Sequence, residues 1–590
     1  MTSKRIALFA ALALFASAAA LMTSSPAAAE IPAAPWEGKE VGYVPFTKQF
    51  PPVQPGLANR PSILLETDFY VYGPGTGFSV PDVNLTVDAR GFNQPVTLWL
   101  YWEDRSNGAT MYYSLRTGSF GATPRDMFGL PGAPAKVRVP TLDEFGLFGA
   151  GTALGALPGS IPTATGCYQF VFEVRNAAGT TVIARGNAMY NHVDAVVSKS
   201  GNIGGSETWT ANNAYRLAAP VNVLSPAVLT IQAGTVVLGS KDNEGTLVIQ
   251  RGARINAVGT PDKPIIMSSE LPVGQRNSGD WGGLVVNGFA PTNQSNPQGE
   301  GNSGPYGAAN GQPGGGQPAD NSGTLQYLRV EFAGILFSDQ NELNGIALQG
   351  VGNGTTVDHV QIHRGEDDGI EFFGGTVDAK YILVTDANDD SLDWTFGWTG
   401  RLQHFVAIQR RGDEDFCIEA DNFESNNDAL PRSNPRIANA TFIGKRNIPG
   451  ADVENCILFR RGTGVNMTHS IQMLGNANGI QVVDPATLDG LGTRLTVENT
   501  YFFNNAALTD NADVATYLMA PAQDNRFTSP SVPNPQSIVQ PDVAPTGNVT
   551  VGPLPALFDA DPFFDSTTYA GGVNPANSWI DDGWTVFSDD

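Results

Sequence analysis

The sequence has few basic residues, few cysteines and no long apolar run after its first 21 residues. Its 34 Lys and Arg stand against 58 Asp and Glu, which gives a formal net charge of -24. Proteins that bind nucleic acid need Lys and Arg for the phosphates, so this balance argues against a nucleic-acid partner. Three cysteines cannot build a disulfide framework. Because no later apolar run reaches about 18 residues, we expect no membrane span.

What the N-terminus does contain is an export pattern. Lys4 and Arg5 precede a short apolar run over 6–21, and Pro26-Ala27-Ala28-Ala29 offers a small-residue cleavage site. This predicts a signal peptide over 1–29 and a mature chain in the periplasm, at the cell surface or outside the cell. A Pro-rich segment then covers 30–62.

Residues 63–195 alternate between apolar and polar positions in short runs, such as 96–102 and 168–174. With 67 Gly and 41 Pro in the chain, this pattern predicts an immunoglobulin-like β-sandwich. The fold class is therefore all-β.

From 196 to 505, short strands repeat with no helical period between them. One aliphatic position recurs at steps of 22 to 39 residues, at Ile346, Ile370, Leu392, Ile418, Ile457 and Ile480. A second apolar strand recurs in phase with it, for example at 379–384, 403–408 and 438–443. Two ladders in phase predict a parallel β-helix. The Gly-rich stretch 294–323 is predicted as a loop insertion, and 506–590 as a cap over the end of the stack.

This region also contains three longer motifs: Trp281-Gly282-Gly283-Leu284, Asp367-Asp368-Gly369-Ile370-Glu371 and Asp390-Ser391-Leu392-Asp393-Trp394. These motifs resemble those of a family of secreted bacterial right-handed parallel β-helix proteins with a pectate-lyase-like superfamily fold. The resemblance implies export and a right-handed β-helix. The resemblance implies no established activity for this protein.

The pattern Asp-x-x-aliphatic-acid occurs three times, at 367–371, 389–393 and 415–419. Stacked coils lie about 4.8 Å apart, so Glu371, Asp393 and Glu419 should form one acidic column. Like charges in a column are costly unless cations offset them. We therefore predict a metal site, with calcium as the candidate ion and no organic cofactor, and we add two ligands to the column: Asp367 and Asp413.

Three arginines, Arg364, Arg410 and Arg411, precede these turns. We expect the first two to bind a ligand beside the acids. Trp394 and Trp398 could stack on a sugar, although packing inside the β-helix explains them equally well.

Catalysis and plain structure remain alternatives for the acids. Asp368, Asp389 and Asp390 partly resemble the catalytic aspartates of polygalacturonases, but Arg410-Arg411-Gly412 stands where that family has Gly-His-Gly. His363 could act as an acid or base, and Arg411 as the base of a calcium-dependent lyase. Alternatively, Asp368 and Asp390 belong to an Asn/Asp turn column that only shapes the coils.

Two further columns are predicted from the same register. Cys417 and Cys456 share one position on neighbouring coils, so they either form a disulfide or pack as two small buried residues. His359, His404 and His469 form a polar rail with Gln326, Lys380 and Asn439.

Taken together, the sequence predicts an exported protein that binds a glycan or another extracellular surface component along an acidic, cation-loaded flank. The alternatives are a polysaccharide-cleaving enzyme and a structural surface protein or adhesin. The sequence leaves the oligomeric state open.

Overall fold

The computed structural model describes residues 62–67, 70–74, 82–88, 96–114, 119–124, 151–156, 162–338, 341–537 and 540–587. The predicted signal peptide and the Pro-rich segment, apart from Ser62, lie outside these ranges. Within them, no helix has both the length and the apolar character needed to cross a membrane.

Two sheets form the N-terminal part, and their apolar faces share one core that includes Leu85, Leu98 and Phe170. This confirms the predicted β-sandwich. The three-stranded sheet contains Ser62–Thr67, Asp82–Asp88 and Gly151–Ala156. The six-stranded sheet contains Val71–Tyr72, Val182–His192, Gly166–Asn176, Val96–Asp104, Thr110–Ser114 and Ser119–Gly121, in that order.

The remainder is one continuous sheet of 24 strands whose neighbours in space belong to successive coils. It is the predicted right-handed parallel β-helix. The aliphatic column pairs directly, for example Ile346 with Ile370 and Ile457 with Ile480. That face of the stack, called ladder A, consists of Leu247–Ile249, Leu284–Asn287, Ile346–Gln349, Ile370–Phe373, Leu392–Thr395, Ile418–Ala420, Ile457–Phe459 and Ile480–Val482.

Two further faces, ladders B and C, complete each coil. Five strands bend to serve both: Gly323–Glu331, Thr356–His363, Asp378–Thr385, Arg401–Ile408 and Arg436–Ile443. Strands in ladder B alone are Glu207–Trp209, Val228–Ile231, Arg254–Val258, Val465–Thr468 and Leu495–Glu498. Strands in ladder C alone are Val236–Gly239, Ile265–Ser269, Ile471–Met473 and Tyr501–Phe503. The first coils, Ala195–Ile203 and Asn213–Val223, join ladder C to ladder A.

The bend between ladders B and C is made by one residue per coil in the left-handed region. His359, His404 and His469 occupy this corner with φ of 51°, 60° and 53°. Tyr327 and Tyr381 share the column, whereas the predicted members Gln326 and Lys380 lie one residue earlier. The predicted column was therefore right for the three histidines and for Asn439 (φ 53°) and wrong by one residue at Gln326 and Lys380. It forms a corner within the strands, lined partly by stacked rings.

The described residues include three short helices. α1 (Pro485–Leu488) lies between the ladder A and ladder B strands of the last coil, and α2 (Ala512–Leu518) and α3 (Ala556–Asp559) follow that coil. α2 buries Val514 and Leu518 against the core of the β-helix. The rest of the segment after 506, called the tail, runs along the corner flank, where Trp579 packs edge-on against Tyr381 and Trp584 against Tyr327. The tail thus covers a side of the stack as well as its end.

The predicted insertion 294–323 is a loop on the opposite side, over ladder A. It contains a short hairpin of Gln298–Gly299 and Gly304–Pro305, with a 3-10 turn at Glu300–Asn302 between them. A second hairpin, Leu336–Ser338 with Asn341–Glu342, leads into the next coil. Tyr306 is buried against the outer face of ladder A, in a cluster with Phe373.

Candidate cation and ligand site

The predicted acidic column exists on the outer face of ladder A. Glu371 pairs with Asp393, and Asp393 with Glu419, on three successive coils. Side chains alternate along a strand, so Ile370 and Phe372 point into the core while the acid between them points outward. We call Glu371, Asp393 and Glu419 the acid column.

The turn before each of these strands adds a second set of acids. Asp368 Oδ1 accepts a hydrogen bond from the backbone N–H of Asp390 (3.1 Å), and Asp390 Oδ1 accepts one from that of Phe416 (2.8 Å). One oxygen of each carboxylate therefore holds the turn of the next coil, as the Asn/Asp turn column predicts. The same two carboxylates also lie against the acid column.

Eight carboxylates come together here, and we call them the acid cluster. They form four overlapping groups of three, and within each group one oxygen per residue lies within 4.8 Å of the others. The groups are Glu342, Asp367 and Asp389; Asp368, Glu371 and Asp393; Asp368, Asp389 and Asp390; and Asp390, Asp393 and Glu419. Such proximity disfavours joint ionisation unless a cation intervenes.

Burial and mutual repulsion both raise the pKa values of these acids. Burial, followed by the neighbouring carboxylates, holds the pKa of Glu371 and of Asp393 well above their ordinary values. The same causes raise the pKa of Asp367 to about 9. Burial raises the pKa of Glu419 to about 7 even though Arg460 opposes the shift. When its carboxylates are ionised, the cluster therefore has more negative charge than nearby basic side chains neutralise.

The arginines predicted to flank the column lie elsewhere. Arg410 is buried under the tail, where its Nε donates to Asp386 (3.0 Å). Arg364 is buried against Phe332, and Arg411 pairs with the exposed Asp413. Both ligand-binding assignments, Arg364 and Arg410, were therefore wrong, because both residues are buried, at 3% exposed each, and closed to a ligand.

The arginine beside the column is Arg460, which sequence reasoning missed. Its guanidinium donates to Glu419 and, at 2.8 Å, to Asp421. Arg461 bonds Asp421 as well. The signal was present: Ala420 pairs with Phe459, so continuing that register by one residue places Arg460 beside Asp421.

Two predicted groups of side chains are closed to a ligand. Trp394 and Trp398 are 0% exposed and lie in the β-helix core, where Trp398 stacks on Phe372 at 4.0 Å. The predicted sugar platform was therefore wrong at both positions. His363 is also fully buried, with Nδ1 2.6 Å from Thr385 Oγ1, so it cannot serve as an acid or base for a ligand in solution.

Asp413 and the two cysteines complete the predicted set. Among the described residues, Asp413 belongs to none of the acid groups, because it is turned toward Arg411.

Cys417 and Cys456 are buried free thiols on neighbouring coils, joined through the Cys417 N–H and the Cys456 carbonyl at 2.8 Å. The structure thus has the packed pair and not the disulfide.

The spacing of the acids differs from that of an inverting hydrolase. Such enzymes hold two carboxyl groups about 6.5–9.5 Å apart, leaving room for a water. Asp368, Asp389 and Asp390 instead bring one oxygen each within 4.8 Å. This closer arrangement suits shared coordination of a cation better.

Two polar residues outside the predictions also face the cluster. Asn344 donates from Nδ2 to Glu371 Oε2 at 2.7 Å, and Glu300 reaches the same amide from the insertion loop at 3.5 Å. Burial raises the pKa of Glu300 to about 8. Buried oxygens without a hydrogen-bond partner remain on Asn344 (Oδ1) and Asp393 (Oδ1), and a metal ion would satisfy both.

Comparison with known proteins places this fold in a family. Curated proteins gave no match. Among solved structures, a similar chain is the catalytic domain of a GH87 α-1,3-glucanase variant in complex with tetrasaccharides. It is 10% identical, with a TM-score of 0.23, and the alignment covers 80% of this chain and 99% of that one. A TM-score this low supports no conclusion about chemistry. A family model described as "Pectate-lyase like beta helix domain" matches residues 201–534, more than half of the 590 residues. The chain therefore belongs to the pectate-lyase-like β-helix domain family.

Proposed function

We propose that the protein binds an extracellular glycan through a divalent cation, calcium, held by the acid cluster. The observation that carries this proposal is the set of four overlapping carboxylate groups, each with its oxygens within 4.8 Å. Without a cation, the cluster has raised pKa values and orphaned oxygens. A divalent ion would offset both costs at once.

The donor set favours calcium over transition metals. Every member of the four groups is a carboxylate, and neither His nor Cys takes part. Hard oxygen donors suit calcium, which takes about 6–8 of them in flexible geometry, whereas imidazole and thiolate favour zinc, copper and iron.

A glycan fits the exposed side of the cluster. Glu342, Asp367, Asp389 and Glu419 are only partly buried, so an ion among them would keep coordination positions for hydroxyl or carboxylate oxygens of a ligand. Phe396 lies half-buried between Phe373 and Phe423, next to the same face, and offers an apolar edge. The export pattern of Lys4, Arg5 and the apolar run after them supports an extracellular partner.

An array of acidic and neutral polysaccharides, probed with the full chain in calcium and then in EDTA, tests the proposal. We expect binding in calcium that is lost in EDTA and in the Asp393→Asn variant. The Asp413→Asn variant is the matched control, because Asp413 lies outside the acid groups, and it should bind normally. Binding that is equal in calcium and EDTA would refute the role of the cation.

Polysaccharide cleavage is the second candidate, favoured by one observation. Glu419 has a pKa raised to about 7 and touches Arg460, so it could exchange a proton near neutral pH. A hydrolase would produce reducing ends, and a lyase would produce unsaturated uronates that absorb in the ultraviolet. A substrate cleaved by the wild type but not by Glu419→Gln would establish this alternative.

A further inference from the structure

The first coil of the β-helix, which we call the entry coil, has an open edge. It consists of Ala195–Ile203 and Glu207–Trp209, and each strand pairs with a strand of the second coil. Among the described residues, no strand that precedes the entry coil belongs to its sheet. A Cβ atom added at Gly201, Gly204 or Gly205 would meet nothing within 4 Å. Backbone groups on such an edge form a template for another strand.

The opposite end of the stack is covered by the chain itself. α2 packs Val514 and Leu518 against the core of the β-helix. Beyond that helix, the backbone of Arg526 pairs with Tyr501 of the last coil. The two ends of the stack therefore differ, because one is capped and the other is open to solvent.

Two interior positions of the entry coil are charged. Lys199 pairs in register with Leu217, and Glu207 pairs in the same way with Leu229. Both leucines are 0% exposed and belong to the core. Lys199 Nζ lies 2.5 Å from Glu207 Oε2, and Trp209 Nε1 donates to the same oxygen at 3.1 Å. An ion pair therefore covers the open end of the core, at positions where the second coil has two leucines.

This ion pair makes association at the open edge costly. Lys199 and Glu207 are the only charged residues of 195–208, and their side chains are 23% and 36% exposed. A further coil stacked on this end would remove both charges from water, and the lost hydration can exceed their mutual attraction. Inward-pointing charges are one way in which proteins protect an open sheet edge.

A second copy of this chain is the partner that fits the edge. The two strands of the entry coil lie on different ladders, so one extended peptide cannot pair with both of them. Another entry coil offers two strands in the same geometry, and a two-fold axis brings the surface against itself. The chain carries a net charge of -24, which opposes association elsewhere, whereas one Lys and one Glu leave the entry coil neutral.

We propose that the entry coil is an association surface for a second copy of this chain, and that the ion pair of Lys199 with Glu207 keeps it closed. In the wild type the edge stays unpaired. Replacing both residues by leucine, as in the second coil, removes the charges and extends the core to the surface, so that two copies stack end to end. The inference is independent of the acid cluster, which lies on later coils.

Sedimentation velocity of the full chain over a range of concentrations tests the inference. Lys199→Leu/Glu207→Leu should associate at least about tenfold more tightly than the wild type, because association no longer buries an ion pair in each copy. The swapped pair, Lys199→Glu/Glu207→Lys, keeps both charges and should behave as the wild type does. Arg411→Leu/Asp413→Leu adds apolar surface at an exposed pair elsewhere and should not associate.

Hydrogen exchange at low and high protein concentration locates the contact. In the first variant, amides of 195–209 should exchange about tenfold more slowly when the free chain is at ten times its Kd, and amides of the tail should not change. Lys199→Met/Glu207→Gln, which keeps an acceptor for Trp209, should show the same protection and replaces the first variant if that one does not fold.

Three outcomes would overturn the inference. The first is that both apolar variants remain monomeric at high concentration. The second is association that leaves 195–209 unprotected, or that the Arg411 and Asp413 control shares, since the contact would then lie elsewhere. The third is concentration-dependent protection of 195–209 in the wild type, because the ion pair would then not keep the edge closed.

Discussion

The acids on the two long flanks of the β-helix differ in whether they have basic partners. On the flank covered by the tail, acids have basic partners: Asp378 and Asp561 pair with Arg401, Asp386 with Arg410, and Asp565 with Lys380. His404, whose Nε2 lies 3.6 Å from Asp565 Oδ2, and Lys380 together hold the pKa of Asp565 below its ordinary value. Charge on this flank is balanced within the chain.

On the flank of ladder A, Glu419 is the one member of the acid cluster that pairs with a basic side chain among the described residues, that of Arg460. Arg461 pairs with Asp421, which lies outside the cluster. The pKa values of Asp368 and Asp390 are raised by burial first and by neighbouring carboxylates next. Since the same coils form both flanks, the fold does not require unbalanced acids. The cation proposed above would balance the acid cluster, and the predictions below test the comparison between the two flanks.

Among the substitutions, the largest effect should come from breaking a balanced pair. Arg410 and Asp386 have side chains that are 1% exposed, and removing one partner of a buried pair costs about 3–5 kcal/mol. Arg410→Met should therefore lower the free energy of unfolding by that amount in urea denaturation. Arg411→Met, which removes a partly exposed arginine from an exposed pair, is the control and should change it little. Equal losses in the two variants would refute the contrast between buried and exposed pairs.

Calcium should have the next largest effect, on the unbalanced flank. At one hundred times its Kd, a ligand that binds only the folded state stabilises it by about 2.7 kcal/mol. We expect the melting temperature in calcium to exceed that in EDTA at pH 7, and Asp393→Asn to abolish most of the difference. Calorimetry measures both. A melting temperature that is the same in calcium and EDTA would exclude a cation in the acid cluster.

The acid cluster should also make stability fall with pH when no cation is bound. Asp367 and Glu419 have pKa values raised by burial to about 9 and 7, above the ordinary values of about 4 for these acids. The folded state therefore binds more protons than the unfolded state from about pH 4 to pH 9. Its stability is fully present below pH 4 and is lost as pH rises, by about 1.4 kcal/mol per pH unit for each proton.

Denaturation in EDTA from pH 5 to pH 9 measures this slope. Calcium, which favours the ionised acids, should flatten it. A slope of the opposite sign in EDTA would mean that the acids of the cluster are stabilised in their charged form, as they are on the tail flank.

Most of the fold could be predicted from the sequence because period and register are local properties. The recurrence of Ile370, Leu392 and Ile418 fixes which residues stack, and the acid column follows from it. Gln326 was assigned to the corner column in place of Tyr327. The corner needs one residue in the left-handed region between ladders B and C, and the residue types of Gln326 and Tyr327 do not show which of the two adopts it. The alternation of side chains along a strand would also have placed Trp394 inward, because it directly follows the outward-facing Asp393.

The site was predictable only in part, for a similar reason. Acids within one repeat, such as Asp367 and Glu371, share a spacing that the sequence displays. Glu300 comes from a loop with no repeat, and the contact with Asn344 depends on how that loop docks. Arg410 precedes the acids of the third repeat in sequence, which suggested a contact with them, yet its guanidinium donates to the Ser537 carbonyl of the tail.

The smallest effect should come from Asp413, which the sequence grouped with the metal ligands. Its side chain is 58% exposed and bonds Arg411 at 3.4 Å, and exposed pairs are worth about 0–1 kcal/mol. Asp413→Asn should leave calcium affinity unchanged in isothermal titration and shift the free energy of unfolding by less than about 0.5 kcal/mol. Asp389→Asn is the matched comparison inside the acid cluster and should weaken calcium binding. If Asp413→Asn weakened calcium binding as strongly as Asp389→Asn, the cation would lie nearer the exposed turn. The separation of Asp413 from the acid cluster would then be wrong.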